Sequence, residues 1–295
     1  MRKTLILLTC IYCWNITSAQ LPNTNIYLFQ MEQQGDSSIH FTNPQFLTAF
    51  NSSGYNNQPS FISNDEIYFS MGSTSEESQT DIVSLNLRNR VKTKVTQSED
   101  REYSPTALLE PYYFSCVRQE ADGKNTQRLW YFPIDRSSSG KPLLPIQTNV
   151  GYHCWLKNDM VALFIVGDPH KLAIANTLDK SVVTLTSNIG RCLQRLPNGN
   201  LAFIHKGSET NWTIKELDLN TMRSKTIVST VAQSEDFVVL PDNTFLMAQG
   251  SKLFKYKKGW DTNWLQVANF EKLNLKNITR MAISQNGKIA LVDVK

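Results

Sequence analysis

Apolar and polar positions alternate along this chain in short runs rich in Val, Ile, Leu and aromatic residues, a pattern typical of half-buried β-strands. Two such runs separated by a tight turn form a unit that recurs along the sequence. The copies are PSFISNDEIYFS from Pro59, SPTALLEPYYFS from Ser104, HCWLKNDMVALF from His153, CLQRLPNGNLAF from Cys192, FVVLPDNTFLMA from Phe237 and RMAISQNGKIAL from Arg280. Their turns recur about every 44 residues, which is the spacing of propeller blades.

Two further β-rich runs follow each hairpin, so that each repeat predicts a four-stranded blade. The third runs begin at Asp81, Arg128, Lys171, Thr213 and Lys252, and the fourth at Val91, Pro142, Ser181, Ser224 and Asn263. The last copy ends after its hairpin, and the N-terminal runs Ile26 to Met31 and Gln45 to Phe50 supply the missing third and fourth strands. The sequence therefore predicts an all-β fold, a six-bladed β-propeller with four-stranded blades whose last blade is closed by N-terminal strands.

Asparagine-glycine pairs mark two of the turns. Asn198-Gly199 and Asn286-Gly287 predict two-residue hairpin turns, in which both residues adopt positive φ.

The first residues have the three regions of a secretory signal peptide. Arg2 and Lys3 precede an apolar run of about 13 residues, and the small residues Thr17, Ser18 and Ala19 follow it. A membrane-spanning helix needs about 20 apolar residues. We therefore expect residues 1–19 to be removed by cleavage after Ala19, residues 20–295 to form one domain, and the mature protein to be periplasmic or secreted. A retained anchor and lipidation at Cys10 are the alternatives.

Composition excludes several classes of protein. Hydrophobic residues make up 41% of the chain and charged residues 19%, which are values of globular proteins. Thirty Lys and Arg against 26 Asp and Glu give a net charge of +4, without the clustered basic face of a nucleic-acid binder. We expect a monomer that has no nucleic-acid partner and no membrane segment in the mature chain.

Three cysteines, Cys116, Cys154 and Cys192, follow the predicted signal peptide. Cys154 and Cys192 occupy equivalent positions in neighbouring repeats. A single disulfide between them and a pair of buried free thiols are both compatible with the sequence.

Four segments, NQPSFISNDEIYFS, EYSPT, GYHCW and SEDFVVLPDNTFLMAQGSKLF, resemble the exported TolB-type and WD-like propellers of Gram-negative bacteria. The resemblance covers nearly all of the mature chain. Related blades serve as protein-binding platforms, as domains attached to peptidases and as exported proteins of unassigned role. The resemblance therefore implies a fold and a compartment but not an activity.

Ionisable and aromatic residues recur where the inner strands of the predicted blades begin. In a propeller these strand starts meet around one end of the central channel, where binding sites usually lie. The predicted ligand-binding residues are Glu102, Tyr103, Tyr152, His153, Arg191, Glu235, Asp236 and Arg280. A ring of structural ion pairs that holds adjacent blades in register is the alternative interpretation.

The leading hypothesis for function is non-enzymatic binding of a protein, peptide or glycan at this channel mouth. The alternative is a hydrolase or lactonase with Glu102, His153, Glu235 and Asp236 as candidate catalytic residues. Histidines lack the short spacing of zinc ligands, so we predict neither a metal centre nor a cofactor. Calcium held by carboxylates, with Asn57, Glu102, Glu235 and Asp236 as ligands, is a further alternative.

Overall fold

A computed structural model describes residues 20–34, 38–75, 79–232 and 234–295 of the chain. Within these residues the chain forms six four-stranded antiparallel sheets, and helical structure is confined to two short 3-10 turns, Ala49–Asn51 and Glu271–Leu273. Each sheet is one blade, so the prediction of a six-bladed all-β propeller is confirmed. The predicted signal peptide, residues 1–19, lies outside the described residues.

The strands are numbered in chain order. The N-terminal strands are β1 (Thr24–Gln34) and β2 (Ser38–Phe46). Blade 1 contains β3 (Tyr55–Ser63), β4 (Glu66–Gly72), β5 (Thr80–Asn86) and β6 (Lys92–Lys94). Blade 2 contains β7 (Arg101–Ala107), β8 (Tyr113–Gln119), β9 (Gln127–Pro133) and β10 (Lys141–Pro142). Blade 3 contains β11 (Val150–Lys157), β12 (Met160–Ile165), β13 (Lys171–Asn176) and β14 (Val182–Ser187).

The second half of the ring continues the same order. Blade 4 contains β15 (Ile189–Arg195), β16 (Leu201–Lys206), β17 (Trp212–Asp218) and β18 (Arg223–Ser229). Blade 5 contains β19 (Phe237–Val239), β20 (Thr244–Gln249), β21 (Lys252–Lys257) and β22 (Leu265–Asn269). Blade 6 is completed by β23 (Ile278–Ile283) and β24 (Lys288–Val294) from the C-terminus, in the order β2-β1-β24-β23.

Both chain ends close blade 6. Strand β1 pairs antiparallel with β24, from Thr24 opposite Val294 to Gln30 opposite Lys288. The predicted third strand is therefore confirmed, whereas the prediction of a fourth strand at Gln45 to Phe50 is wrong, because β2 occupies Ser38–Phe46. Leu47 follows the end of this strand and is buried in the cluster between blades 6 and 1. Its apolar side chain therefore belongs to the connection to blade 1 and not to the strand.

Hydrogen bonds tie blade 6 to blade 1 at this closure. The backbone N–H of Asn56 donates to Thr24 Oγ1 at 2.9 Å, and the Asn56 side-chain amide donates to the Thr24 carbonyl at 2.8 Å. Both residues are fully buried. Buried polar groups that are satisfied in this way fix the register between two sheets.

The hydrophobic core is divided into clusters that lie between adjacent blades. Blades 3 and 4, for example, share a cluster that includes Phe164, Leu172 and Phe203. Full burial of each such side chain contributes about 1.5–3 kcal/mol. The described cluster between blades 1 and 2 contains five buried residues, namely Tyr68, Ile82, Phe114, Cys116 and Phe132. Polar side chains occupy part of that boundary.

The asparagine-glycine turns differ from the expected type. Gly199 and Gly287 have φ of 87° and 79°, but neither preceding asparagine is among the residues with positive φ. The Leu196 N–H bonds to the Asn200 carbonyl, and the Gly199 N–H bonds to the Leu196 carbonyl. This is a three-residue hairpin loop, a type I turn followed by one left-handed residue. The prediction of two-residue turns is wrong because a proline or glutamine joins the turn as its first residue.

Cys116, Cys154 and Cys192 are buried and unbridged, so the structure selects free thiols over a disulfide. Of the helices in the described ranges, none has the length and apolar character that crossing a membrane requires.

Candidate functional site

A cavity of about 230 Å³ lies in the central channel and is lined by residues from all six inner strands or the residues directly before them. Of the predicted site residues, Tyr152, His153, Arg191, Asp236 and Arg280 line it. They come from blades 3 to 6. The structure therefore brings together residues that lie far apart in the sequence.

Two arginines share one carboxylate at this cavity. Arg191 donates from Nε to Asp236 Oδ2 at 2.9 Å and also contacts that oxygen through Nη2. Arg280 Nη1 lies 3.7 Å from the other oxygen, Asp236 Oδ1. Burial opposes the charge on Arg191, but the Asp236 carboxylate raises the pKa of that guanidinium further above its ordinary value. Two guanidinium groups thus face one carboxylate, which gives the trio a surplus of one formal positive charge.

Glu235 lies on the outer side of this trio. Its Oε1 accepts the backbone N–H of Arg191 at 2.8 Å and lies 3.0 Å from Lys206 Nζ. Burial alone would raise the pKa of Glu235, but the charges of Arg191 and Lys206 lower it below its ordinary value. Glu235 is therefore an ionised, paired carboxylate at neutral pH.

Arg280 has fewer partners than Arg191. Its Nη2 donates to the Tyr152 hydroxyl at 2.8 Å, and its guanidinium lies 5.0 Å from the centre of the Tyr152 ring. Among the described residues that is the one hydrogen bond this guanidinium makes, although its side chain is only 15% exposed. An arginine has five N–H donors. Arg280 therefore presents several unused donors in the cavity.

The opposite wall of the cavity is neutral. Gln58 and Ser104 each precede a proline, have φ of 56° and 53°, and lie at bulges of β3 and β7. Gln58 Oε1 accepts hydrogen bonds from the Ser104 N–H and from Ser70 Oγ, both at 2.9 Å. The left-handed conformation is uncommon for such residues, and it is maintained here by the contact between blades 1 and 2.

His153 is held by the interior of blade 2. Its Nε2 lies 2.7 Å from Ser115 Oγ, which also accepts the indole N–H of Trp155 at 2.9 Å. Nδ1 of the same ring is buried and has no hydrogen-bond partner among the described residues. Burial lowers the pKa of His153 to about 3, so the ring is neutral.

Glu102 lies away from the cavity in a sealed ion pair. It is fully buried, lies 3.0 Å from Arg118 Nη2, and accepts hydrogen bonds from Ser98 and Thr96. Burial raises the pKa of Glu102, although Ser98 and Arg118 oppose that change. Its side chain faces blade 1, as expected for alternation along a strand.

The adjacent Tyr103 faces the other way and packs against the cluster between blades 2 and 3. The predicted ring thus divides into five cavity residues, Glu235 beside them, and two residues that serve the packing of blades.

Three residues that contact the predicted set are not among the predicted ligand-binding residues. Tyr55 is buried next to Arg280; burial raises its pKa, while the charge of Arg280 opposes the rise. Lys206 pairs with Glu235, and Arg118 pairs with Glu102. The Arg118 pairing had a detectable signal, because Arg118 lies directly opposite Glu102 in the β7-β8 hairpin. No motif marks Tyr55.

A second cavity, of about 330 Å³, lies between blades 5 and 6 at the same end of the channel. It shares Arg191, Asp236 and Met281 with the channel cavity. Glu235 lines this second cavity.

No cluster of three or more His, Cys, Asp or Glu residues with the geometry to hold a metal ion occurs in the described part of the chain. The carboxylates suggested as calcium ligands do not converge, because Glu102 contacts Arg118 whereas Glu235 and Asp236 contact Arg191.

Comparisons with known proteins place this architecture among solved structures. No protein-family model matches the chain, and no curated protein sequence matches it either. The structure of a protein from Agrobacterium tumefaciens that is assigned as TolB superposes on this chain with a TM-score of 0.62 at 10% identity. The match covers 93% of this chain and 99% of that one. TolB from Acinetobacter baumannii gives 0.57 at 12% identity, and the match covers 92% of this chain but only 64% of that protein.

An oligogalacturonate lyase from Vibrio parahaemolyticus gives a TM-score of 0.57 at 12% identity, with coverage of 88% and 83% of the two chains. Identities this low show the fold alone. The chain is thus a six-bladed β-propeller whose fold is similar to that of TolB.

Proposed function

We propose that this propeller binds, without catalysis, a protein, peptide or glycan ligand through a carboxylate group at the channel mouth. One observation carries the proposal: the largely buried guanidinium of Arg280 makes a single hydrogen bond and faces a cavity. A charge in such surroundings loses hydration, which is costly unless a counter-ion and hydrogen bonds replace the water.

The charges around Arg280 define the ligand group. Asp236 is already engaged by Arg191, so a ligand carboxylate would neutralise the surplus cation and accept two N–H donors in a bidentate fork. The opposite wall, which includes Gln58 and Ser104, carries no charge that would oppose the rest of the ligand.

Binding is favoured over catalysis by the state of the candidate catalytic groups. Glu102 is sealed against Arg118, Glu235 is paired with Lys206, and His153 is fixed by Ser115. A general acid or base needs a free ionisable group within reach of the substrate. None of these three side chains meets that description.

We also propose the compartment in which the protein acts. The signal-peptide pattern of residues 1–19 and the resemblance to exported propellers support a periplasmic or secreted protein. N-terminal sequencing of the exported protein should begin at Gln20. A cytoplasmic protein that retains Met1 would contradict export.

Isothermal titration calorimetry with a panel of carboxylates tests the binding function. The panel contains N-acetyl amino acids, acetylated dipeptides and short oligouronates, each with its amide or methyl ester as a neutral counterpart. We expect carboxylates to bind and neutral counterparts to fail. Loss of hydrogen bonds to a charged group costs about 1.5–3 kcal/mol, so Arg280→Gln should weaken binding about tenfold to 150-fold.

Arg195→Gln is the matched control, because Arg195 lies at the far end of β15 and is exposed. It should leave binding unchanged. Equal binding by wild type and Arg280→Gln would contradict the proposed site. A parallel screen with ester, lactone, glycoside and peptide substrates, with and without calcium, tests the enzymatic alternative. Turnover lost in His153→Ala would overturn the non-enzymatic proposal.

A further inference from the structure

We propose that the ligand is a linear peptide whose C-terminal carboxylate lies on Arg280 and whose preceding residues cross Asp236 into the cavity between blades 5 and 6. This inference rests on the proposed function and adds the class of ligand and its direction. It follows from the shape, charge and chemistry of the two cavities together.

The two cavities are neighbours. The channel cavity and the cavity between blades 5 and 6 have Arg191, Asp236 and Met281 in common. A ligand held at Arg280 by one end would therefore reach the second cavity by crossing the ion pair of Arg191 and Asp236. Such a ligand is elongated, and its charged group is terminal.

Charge along the path distinguishes a peptide from a polyanion. Surplus positive charge is found at the inner end, on Arg280. The second cavity is lined by the carboxylates of Glu235 and Asp236, whose charges Lys206 and Arg191 already compensate. Further acidic groups of a ligand would find no surplus positive charge in this second cavity. A chain with one terminal carboxylate and a neutral body matches this distribution of charge.

Hydrogen-bonding groups along the path suit a peptide backbone. The Asn277 amide and the Thr279 hydroxyl line the second cavity, and neither side chain has a hydrogen-bond partner among the described residues. Both can pair with the N–H and C=O groups of an extended peptide. The described lining of this cavity contains no aromatic ring on which a sugar could stack. These features favour a peptide over a neutral glycan.

Two peptide libraries test the direction of binding. One contains N-acetylated hexapeptides of random sequence with a free C-terminal carboxylate, and the other contains the same sequences as C-terminal amides. Immobilised full-length protein is incubated with each, and retained peptides are identified by mass spectrometry. We expect retention from the free-carboxylate library and none from the amides. Equal retention from both libraries would overturn the assignment of the terminus.

Filling the second cavity tests the path. Asn277→Trp places a large side chain there from an exposed position, and Asn220→Trp on the β17-β18 turn at the opposite end of the propeller is the control. Asn277→Trp should weaken a retained hexapeptide at least tenfold while leaving the acetylated dipeptide of its last two residues unaffected. Because that dipeptide still binds, misfolding is ruled out. Thr279→Val should weaken the hexapeptide several-fold.

The outcomes separate the two proposals. If Arg280→Gln abolishes hexapeptide binding but Asn277→Trp and Thr279→Val do not weaken it, the path is wrong and the proposed function stands. If oligouronates bind in an Arg280-dependent manner and no peptide does, the peptide assignment is wrong. If neither binds, both proposals fail.

Discussion

Two arginine-carboxylate clusters in this propeller use the same residue types for different ends. In blade 2, Arg118 lies between Glu102 at 3.0 Å and Asp100 at 3.2 Å. Its guanidinium also lies 4.2 Å from the centre of the Trp130 ring. At the mouth, Arg191 and Arg280 share Asp236. The first cluster has more carboxylates than cations and is covered, whereas the mouth trio has more cations than carboxylates and borders a cavity.

The difference between the two clusters shows how structural ion pairs can be distinguished from a binding site. Both terminal nitrogens of Arg118 are paired with carboxylates, and its side chain is 8% exposed. Arg280 is nearly as buried but is mostly unpaired. The balance of charges and the donors left over indicate function more reliably than the presence of charged residues at strand starts.

The largest expected effect on stability comes from removing Arg118 from the covered cluster. Arg118→Met leaves the Glu102 carboxyl in the interior without its cationic partner, so the free energy of unfolding should fall by about 3–5 kcal/mol. Chemical denaturation monitored by tryptophan fluorescence measures this. The double variant Arg118→Met with Glu102→Gln should recover part of the loss, because no buried charge remains. A loss below about 1 kcal/mol in the single variant would show that the pair is not structural.

The sequence predicts features that neighbouring residues encode, and it does not predict contacts between residues that are far apart in the chain. Blade spacing follows from the local pattern of turns such as Asn64 and Asn286, so the fold was predictable. Glu102 and Tyr103 are adjacent, but alternation directs them to opposite faces of the blade, and only the structure shows that both side chains pack against neighbouring blades and not in the cavity. The contact between Arg280 and Tyr152 crosses the channel, and no local pattern encodes it.

A pH titration tests the interior next to the cavity. Burial lowers the folded pKa of His153 to about 3 from its ordinary value of 6.5. The native state therefore favours the neutral ring, and its contribution to stability is complete above pH 6.5 and is lost as the pH falls toward 3. Between pH 7 and 4.5 the loss should be about 2–3 kcal/mol. Denaturation curves of wild type and His153→Gln should show this slope only in wild type; parallel curves would contradict it.

Removal of the better-paired arginine at the mouth should have an intermediate effect. Arg191→Ala deletes two contacts to Asp236 and the ion pair with Glu235, and Arg191 is 30% exposed. We expect a loss of about 1.5 kcal/mol, the lower end for hydrogen bonds to a charged group. Thermal and chemical denaturation provide the measurement. A loss as large as that of Arg118→Met would mean that the mouth trio is structural, in contrast to the comparison drawn above.

The two clusters should also respond to pH in opposite directions. The folded pKa of Glu102 is raised by burial, so its contribution to stability decreases as the pH rises from the unfolded pKa through the folded one. The folded pKa of Glu235 is lowered despite burial, by Arg191 and Lys206, so its contribution is present above the unfolded pKa and is lost in acid. Glu102→Gln and Glu235→Gln should change the pH dependence of unfolding with opposite signs. The same sign in both would contradict the contrast between the clusters.

The smallest expected change in stability is at the residue assigned the largest role in binding. Arg280→Gln removes one hydrogen bond and a 3.7 Å ion pair, and it also relieves the repulsion between Arg280 and Arg191. These effects offset each other, so the free energy of unfolding should change by less than about 1 kcal/mol. Calorimetry on the same preparation should show binding of carboxylate ligands weakened about tenfold to 150-fold. A variant that loses several kcal/mol and still binds would assign Arg280 to the framework, and the mouth would then be a second covered cluster like that of Arg118.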